Sequence, residues 1–304
     1  MNRLKRKGGI YLFFMAIPFM VLVFVLSYRP LYGWIYAFFN YKPGLPIGPH
    51  NFVGFDNFKM ILQDKYALED IGRVMRNTFA MSLIGLASAP LPMIFAIFLN
   101  EIKHLPYRRV VQTLTTIPNF ISWVLVYAVA YAMLSVDDGF INRVGIQLGF
   151  FKEQIAFLVG RDHVWLGMWL WGTWKGLGWS AIMYIAAIMS IDQELYEAAR
   201  VDGAGRFTCM WYITIPGLLP TFFVLLILSI ASFINNGMEQ YLVFQNPMNK
   251  SFIEVLDLYV YNQGIAGLNY SYSIAIGMLK SIVSLVLLFL ANGISKLFRK
   301  ESIF

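Results

Sequence analysis

The sequence predicts an all-α integral membrane fold of six transmembrane helices with both termini cytoplasmic, and three observations predict it. Of 304 residues, 58% are hydrophobic and 13% charged, against about 45–50% and about 25% in soluble domains. A soluble fold of this length could not hide that much apolar side chain, and the mean hydropathy of +0.60 agrees. Six apolar runs approach or exceed the roughly 20 residues needed to cross a hydrocarbon core about 30 Å thick. Lysines and arginines fall between those runs and are denser on one side.

The runs are, in order, Ile10–Tyr28, Thr78–Leu99, Thr115–Ser135, Val164–Ile191, Ile215–Ile234 and Ser273–Ile294. The first lacks a small-residue cleavage site and is expected to remain as a helix. Leu31–Phe39 is too short to cross and reads as an interfacial continuation after Pro30. Pro90 and Pro92 are expected to kink the second span, which packed neighbours tolerate in a membrane. Arg3, Lys5, Arg6 and Lys7 precede the first span; Lys103, Arg108 and Arg109 follow the second; Arg200 and Arg206 follow the fourth; Lys296, Arg299 and Lys300 follow the sixth. These short basic segments set both termini inside, while the remaining basic residues are spread over longer loops. The chain divides into an N-terminal tail, first helix and outer loop (1–76), a five-helix core (77–295) and a cytoplasmic tail (296–304). Turn residues Pro43, Gly44, Pro46, Gly48 and Pro49 mark the outer loop.

Composition also excludes classes of function. The single cysteine, Cys209, forms no intrachain disulfide. The net charge of +7 is dispersed between apolar runs and makes no nucleic-acid footprint. His50, His104 and His163 have no metal-ligand spacing, so no metal or cofactor is expected. There is no nucleophile elbow, phosphate-binding glycine loop or H-E-x-x-H helix, which argues against a membrane enzyme. A secondary carrier or channel is the alternative, but an ion-coupled carrier needs ionisable groups at mid-membrane. Only Lys175 and Lys280 qualify, and each either contacts substrate or snorkels or pairs with a backbone carbonyl.

The least membrane-like stretch is Asp192–Pro220, after the fourth span. Glu194–Val201 is good helix material and Gly203 a stop. Arg206–Tyr212 reads as a second short helix, and Pro216 begins the fifth span where its missing N–H costs least. Two short helices about an Asp202-Gly203-Ala204 turn make a knob suited either to docking a protein partner or to connecting two spans.

This stretch resembles the EAA loop of ABC importer permease subunits. The family pattern of E-A-A, three residues, G, nine residues and I-x-L-P is matched by Glu197-Ala198-Ala199, Gly203 and Ile213-Thr214-Ile215-Pro216, with Ile215 in place of Leu. The sugar-importer form adds Asp202-Gly203-Ala204 and Pro220; Met210 stands where Phe is common. Ser27–Pro43, Phe52–Phe58, Ile117–Trp123, Trp174–Trp179, Met238–Gln240 and Asp257–Tyr261 are similar to the LplB-like subgroup, so the likeness spans nearly the whole chain.

The resemblance implies a type I importer (MetI-like) permease in a bacterial plasma membrane. It implies import of oligosaccharides, including uronic-acid-containing ones. It implies a second homologous permease, two ATPase subunits that carry the ATP and magnesium, and an extracytoplasmic sugar-binding protein. Glu197, Ala198, Ala199, Asp202, Gly203, Ala204, Arg206 and Pro216, within an EAA loop spanning 192–216, are the implied ATPase-coupling residues. For a sugar pathway the candidates are amide, hydroxyl, acid and aromatic side chains. Asn119, Ser122 and Trp123 are expected on span three, with Asn119 and Trp123 on one face. Trp171, Trp174, Lys175 and Tyr184 are on span four. Asn235, Asn236, Glu239 and Gln240 close span five. The competing roles are helix packing for the tryptophans, with an interfacial belt for some of them, and subgroup scaffold for Glu239-Gln240.

Overall fold

Helices account for most of the chain, and among the described residues the only β pairing is a single bridge between Phe39 and Phe52. The computed structural model describes residues 2–161 and 163–299, with side chains described over 13–161 and 163–293. The side chains of the terminal basic clusters (Arg3, Lys5, Arg6 and Lys7; Lys296, Arg299 and Lys300) and of the predicted tail 296–304 lie outside that range.

The chain forms two compact units: the described residues up to Leu68 with Val260–Lys280, and Glu69–Tyr259 with the described residues from Ser281 onward. In the first unit, α1 (Asn2–Val23) continues through a π-helical turn, Phe24–Tyr28, into a 3-10 helix, Arg29–Phe38, that starts at Pro30. The loop after it is closed by Asn40 N–H to Asn51 O (2.8 Å) and Val53 N–H to Phe38 O (2.9 Å). Asn57 Nδ2, on α2 (Asp56–Gln63), donates to Ala37 O at 2.8 Å, and Phe38, Phe55 and Phe58 pack ring on ring.

The second unit holds most of the spans. Helix α3 (Lys65–Ala87) begins in the first unit and crosses into it; with α4 (Pro90–Asn100) it makes one 36-residue apolar stretch, starting well before Thr78 and interrupted where Pro90 and Pro92 begin a new helix. Then come α5 (Leu105–Thr116), α6 (Trp123–Leu134), α7 (Phe140–Gln147), α8 (Val164–Met189), α9 (Gln193–Val201), α10 (Arg206–Cys209), α11 (Ile215–Ala231), α12 (Glu239–Phe244), α13 (Lys250–Ile253), α14 (Leu256–Tyr261, whose last two residues belong to the first unit) and α15 (Tyr270–Arg299). Four stretches are long and apolar enough to cross a membrane: Phe13–Phe38, Lys65–Asn100, Arg206–Ala231 and Tyr270–Gly293. The bent pairs Leu105–Phe120 with Trp123–Leu134 and Val164–Met189 with Gln193–Val201 bring the number to six.

Two spans differ from their sequence reading. The third is not one helix over Thr115–Ser135: Leu105–Phe120 and Trp123–Leu134 meet at 107°. Ile121 is extended (φ −82°, ψ 136°) and Ser122 caps the new helix, its Oγ accepting from Leu125 N–H at 3.4 Å. Asn119 and Trp123 therefore do not share a helical face. The fifth does not start at Pro216, and Arg206–Tyr212 is not a separate helix. Arg206–Ala231 is continuous through a π turn over Met210–Thr214. Ile215 N–H bonds Met210 O across that turn, and the wider ring admits Pro216, whose missing N–H would break a regular α ladder.

The buried core gathers Met93, Ala96, Ile97 and Leu99 of α4, Ala181, Tyr184, Ile185 and Ile188 of α8, and Met210 and Leu218 of the fifth span. Helix α5 lies so close to α8 that a Cβ on Gly178 would run into the Thr115 carbonyl, so a glycine is required there.

Candidate functional site: an exposed knob and a membrane groove

The segment after α8 turns by 69° into α9. Asp192 caps α9, its Oδ1 accepting from Glu194 N–H at 3.0 Å. At the other end Gly203 adopts φ +81°, Gly203 N–H reaches Arg200 O (3.1 Å) and Ala204 N–H reaches Ala199 O (2.8 Å). That pair of bonds is the Schellman closure, and it calls for a left-handed residue at this position. Glu197, Ala198, Asp202, Gly203 and Arg206 are exposed, Ala199 and Ala204 half-buried, and Pro216 is exposed at the start of α11. Val201 (88% exposed) and Phe207 (78%) stand out from the same knob. The N-terminal cap of α9 is thus Asp192. Asp202 instead sits at the C-terminal end of α9, where a negative charge opposes the helix dipole.

Helices α3, α4, α8, α11 and α12 enclose a groove of about 690 Å³. Gly172, Gly176 and Ser180 run along α8 at four-residue spacing, and a Cβ on Gly176 would meet nothing within 4 Å. Trp169, Thr173, Trp179 and Tyr184 flank that stripe; Ser229 and Ser232 of the fifth span and Gln240 and Tyr241 of α12 face it. Gln240 Nε2 is fixed by Met168 O at 2.6 Å. Burial, with a smaller contribution from the Asp257 carboxylate, pushes the Tyr241 phenol above its ordinary range and keeps it neutral. A second cavity of about 900 Å³ meets the groove at Ser88, Leu91 and Trp169 and carries Arg161 and His163 among apolar walls. Arg76 lies over two of its lining rings, Phe252 (5.0 Å) and Trp165 (6.0 Å). The adjoining 250–256 segment is pinned to α3 by Arg73–Glu254 (2.9 Å) and by Asn77 Nδ2 donating to Ser251 O and Glu254 O.

Of the pathway candidates, the structure brings Tyr184 and Gln240 to the groove. Trp174 lines a third cavity of about 570 Å³ with Trp171 and Phe244, which shares His163, Val164 and Leu166 with the second. Lys175 Nζ donates to the carbonyls of Pro118 (3.2 Å), Asn119 (2.7 Å) and Ile121 (2.7 Å) and lies 5.4 Å from the Trp123 ring. Asn119 and Trp123 meet it there, and Ser122 caps the next helix. Asn236 Nδ2 donates to Ser82 Oγ (3.0 Å), Asn235 Nδ2 to Ser284 Oγ (3.4 Å), and Glu239 is exposed at the start of α12. Sequence reasoning missed Trp169, Gly172, Gly176, Trp179 and Ser229; the small-residue spacing along α8 was the available signal. Among the described residues no group of three or more His, Cys, Asp or Glu is placed to hold a metal.

Residues 83–300 match the family described as binding-protein-dependent transport system inner membrane component. The chain is 40% identical over 305 residues to Protein LplB of Bacillus subtilis (strain 168), covering 100% of this chain and 93% of that one. It is 36% identical over 296 residues to the polygalacturonan/rhamnogalacturonan transport system permease protein YteP of the same organism, covering 97% and 90%. Among solved structures, a bacterial ABC transporter involved in the import of the acidic polysaccharide alginate contains a chain that superposes with TM-score 0.83 at 30% identity over 98% of this chain and 99% of that one. The same type of transporter with an alginate pentasaccharide-bound periplasmic protein gives 0.85 at 30% identity, covering 98% of each chain. With its apolar spans, its all-helical architecture and these likenesses, the chain belongs to the binding-protein-dependent inner membrane components: it is a multi-pass permease subunit of a bacterial ABC importer of the sugar-permease type, not itself an enzyme.

Proposed function

We propose that this permease forms one wall of an oligosaccharide pathway through the groove on α8, and that the α9 knob docks an ATPase subunit on the cytoplasmic side. The observation that carries the reading is a connection: α8 lines the groove between Met168 and Tyr184, the fifth span lines it between Leu225 and Ser229, and both helices lead into the exposed knob at their other end. Sugars are recognised by ring stacking and by hydroxyl and amide hydrogen bonds. Trp169, Trp179, Tyr184, Ser229 and Gln240 supply both. Exposed Glu197 and Asp202 beside apolar Val201 and Phe207 suit a partner groove with an apolar floor and basic rim. Both termini are then cytoplasmic, 77–295 is the permease core and 296–304 a cytoplasmic tail. A second permease supplies the opposite wall, two ATPase subunits bind the ATP and magnesium, and an extracytoplasmic binding protein delivers the sugar.

The substrate proposed is an acidic oligosaccharide. Arg161 at the cavity that meets the groove by Trp169, with Arg76 over two of its lining rings, favours uronates by charge, and the polygalacturonan and alginate systems among the similar proteins support the same class. The test is uptake by the reconstituted importer of oligogalacturonate and of a neutral oligosaccharide of equal length. Preferential uptake of the uronate, lowered by Arg161→Gln, is the expected result; equal uptake of both overturns the acidic assignment. Gly203→Asp should leave a folded permease in the membrane and abolish uptake; undiminished uptake overturns docking through the knob.

A further inference from the structure

The knob touches the fifth span through a hydrogen-bond chain made by residues of the 192–216 loop other than the implied ATPase-coupling residues. Tyr196, half-buried on α9, places its hydroxyl 2.9 Å from Thr214 Oγ1. Thr214 is 3% exposed and its Oγ1 reaches the Cys209 carbonyl at 3.4 Å. A hydroxyl has one proton. With the Thr214 proton directed to Cys209, the Tyr196 O–H is the donor to Thr214, and the chain runs Tyr196 to Thr214 to Cys209. Thr214 is the last residue of the π-helical turn that precedes Pro216, and Cys209 is the residue that caps the start of that turn. A second contact lies beside it: the Ile191 side chain, at the bend between α8 and α9, sits where a Cβ on Gly217 would be, 2.7 Å from Ile191 Cδ1.

We propose that Tyr196 and Thr214 are positioning residues that pass tilting of the knob into the fifth span, with the Met210–Thr214 π turn as the element that yields. A π turn lacks the regular ladder of an α-helix and is a place where a helix changes its winding at low cost. From Thr214 the helix runs about 22 Å to Ser229 at about 1.5 Å per residue, so a change of tilt at the turn arrives at the groove wall as a displacement. This inference rests on the reading that the knob docks an ATPase, and the experiment separates the two.

The assembled importer is purified with a nitroxide on Leu228→Cys, a groove-lining position of the fifth span 45% exposed, in a Cys209→Ser background with cysteine-free partner subunits. The probe is ATP with vanadate, which needs no knowledge of the sugar. The unaltered knob should give an ATP-dependent spectral change at position 228. Tyr196→Phe and Thr214→Val should each reduce that change at least twofold while the ATPase still copurifies, and Thr214→Ser, which keeps the hydroxyl, should restore it. A full spectral response in Tyr196→Phe overturns the relay, as does a reduction of the same size in Thr214→Ser. Gly203→Asp reports on docking alone: retention of both ATPase and response in that variant overturns the docking reading instead.

Discussion

The ammonium of Lys175 lies 2.7 Å from the carbonyl oxygen of Ile121 and closes the end of a helix on a different span. Where the third span bends, the carbonyls of Asn119 and Ile121 are left without helical partners and that of Pro118 accepts only the Ile121 N–H (3.2 Å), and in a membrane no water is at hand for them. A cation at the negative end of the helix dipole satisfies all three. Lys175→Met should therefore lower thermal stability of the purified permease by about 2–4 kcal/mol, the cost of orphaning buried acceptors. A loss of uptake with unchanged thermal stability would return Lys175 to a direct substrate role.

Gly203 is required by its φ of +81° and not by space, since nothing lies within 4 Å of an added Cβ. Left-handed backbone costs an L-residue about 1–2 kcal/mol, with Asn the mildest replacement. The expected order of ATPase copurification is Gly, then Asn, then Val, and a pull-down series measures it. Equal recovery of the Val variant would contradict the turn's importance.

Gly176 faces open groove. Gly176→Phe should block uptake with the importer still assembled, while Gly176→Ala should raise helix stability by about 0.5–1 kcal/mol. Uptake by proteoliposomes and thermal melting of the same preparations check both.

Glu254, with a side chain 2% exposed against Arg73 at 24%, is one half of a largely desolvated pair. Glu254→Gln leaves the guanidinium with only the more exposed Asp70 carboxylate (3.0 Å) and should destabilise by about 1–3 kcal/mol, below the range for breaking a fully buried pair. Limited proteolysis near the 250–256 segment should accelerate in step; unchanged cleavage would show that the pair does not hold that segment.

Tyr241 gives a pH prediction. Its phenol is held neutral by burial and by Asp257, so its native pKa stands above the value of about 10 that it has when unfolded. The folded state retains the proton longer, and this contribution to stability is complete below about pH 10 and is lost as pH rises from there towards the native pKa. Tyr241→Phe should flatten the fall of thermal stability above about pH 10; an unchanged slope counts against it.

The number of spans and the position of the knob were legible because both rest on local pattern: apolar run length, and residue types at fixed spacing. The Gly203 turn was legible for the same reason. The break in the third span was not, because nothing local in Ile117–Trp123 reveals that a lysine more than fifty residues away stands ready to accept an opened helix end. The groove was half legible. Tyr184 and Gln240 are polar and drew notice, whereas Gly172 and Gly176 act by having no side chain, and residue chemistry does not mark an absence. Trp174 and Lys175 drew notice for good chemical reasons, yet face other neighbours, because α8 is apolar around most of its circumference and no single face stands out from the sequence.

The small residues along α8 have a consequence for evolution. If the proposed pathway runs through this groove, its bore is set by the missing side chains at positions 172 and 176 and the small one at 180, and its calibre is retuned one methyl group at a time. Such changes lie more than two helical turns before the end of α8 and leave the knob intact. At Gly176 an alanine would make the helix more robust; the glycine there keeps the channel wide at the expense of rigidity. A lineage meeting a slimmer glycan could gain durability and a new diet in the same substitution.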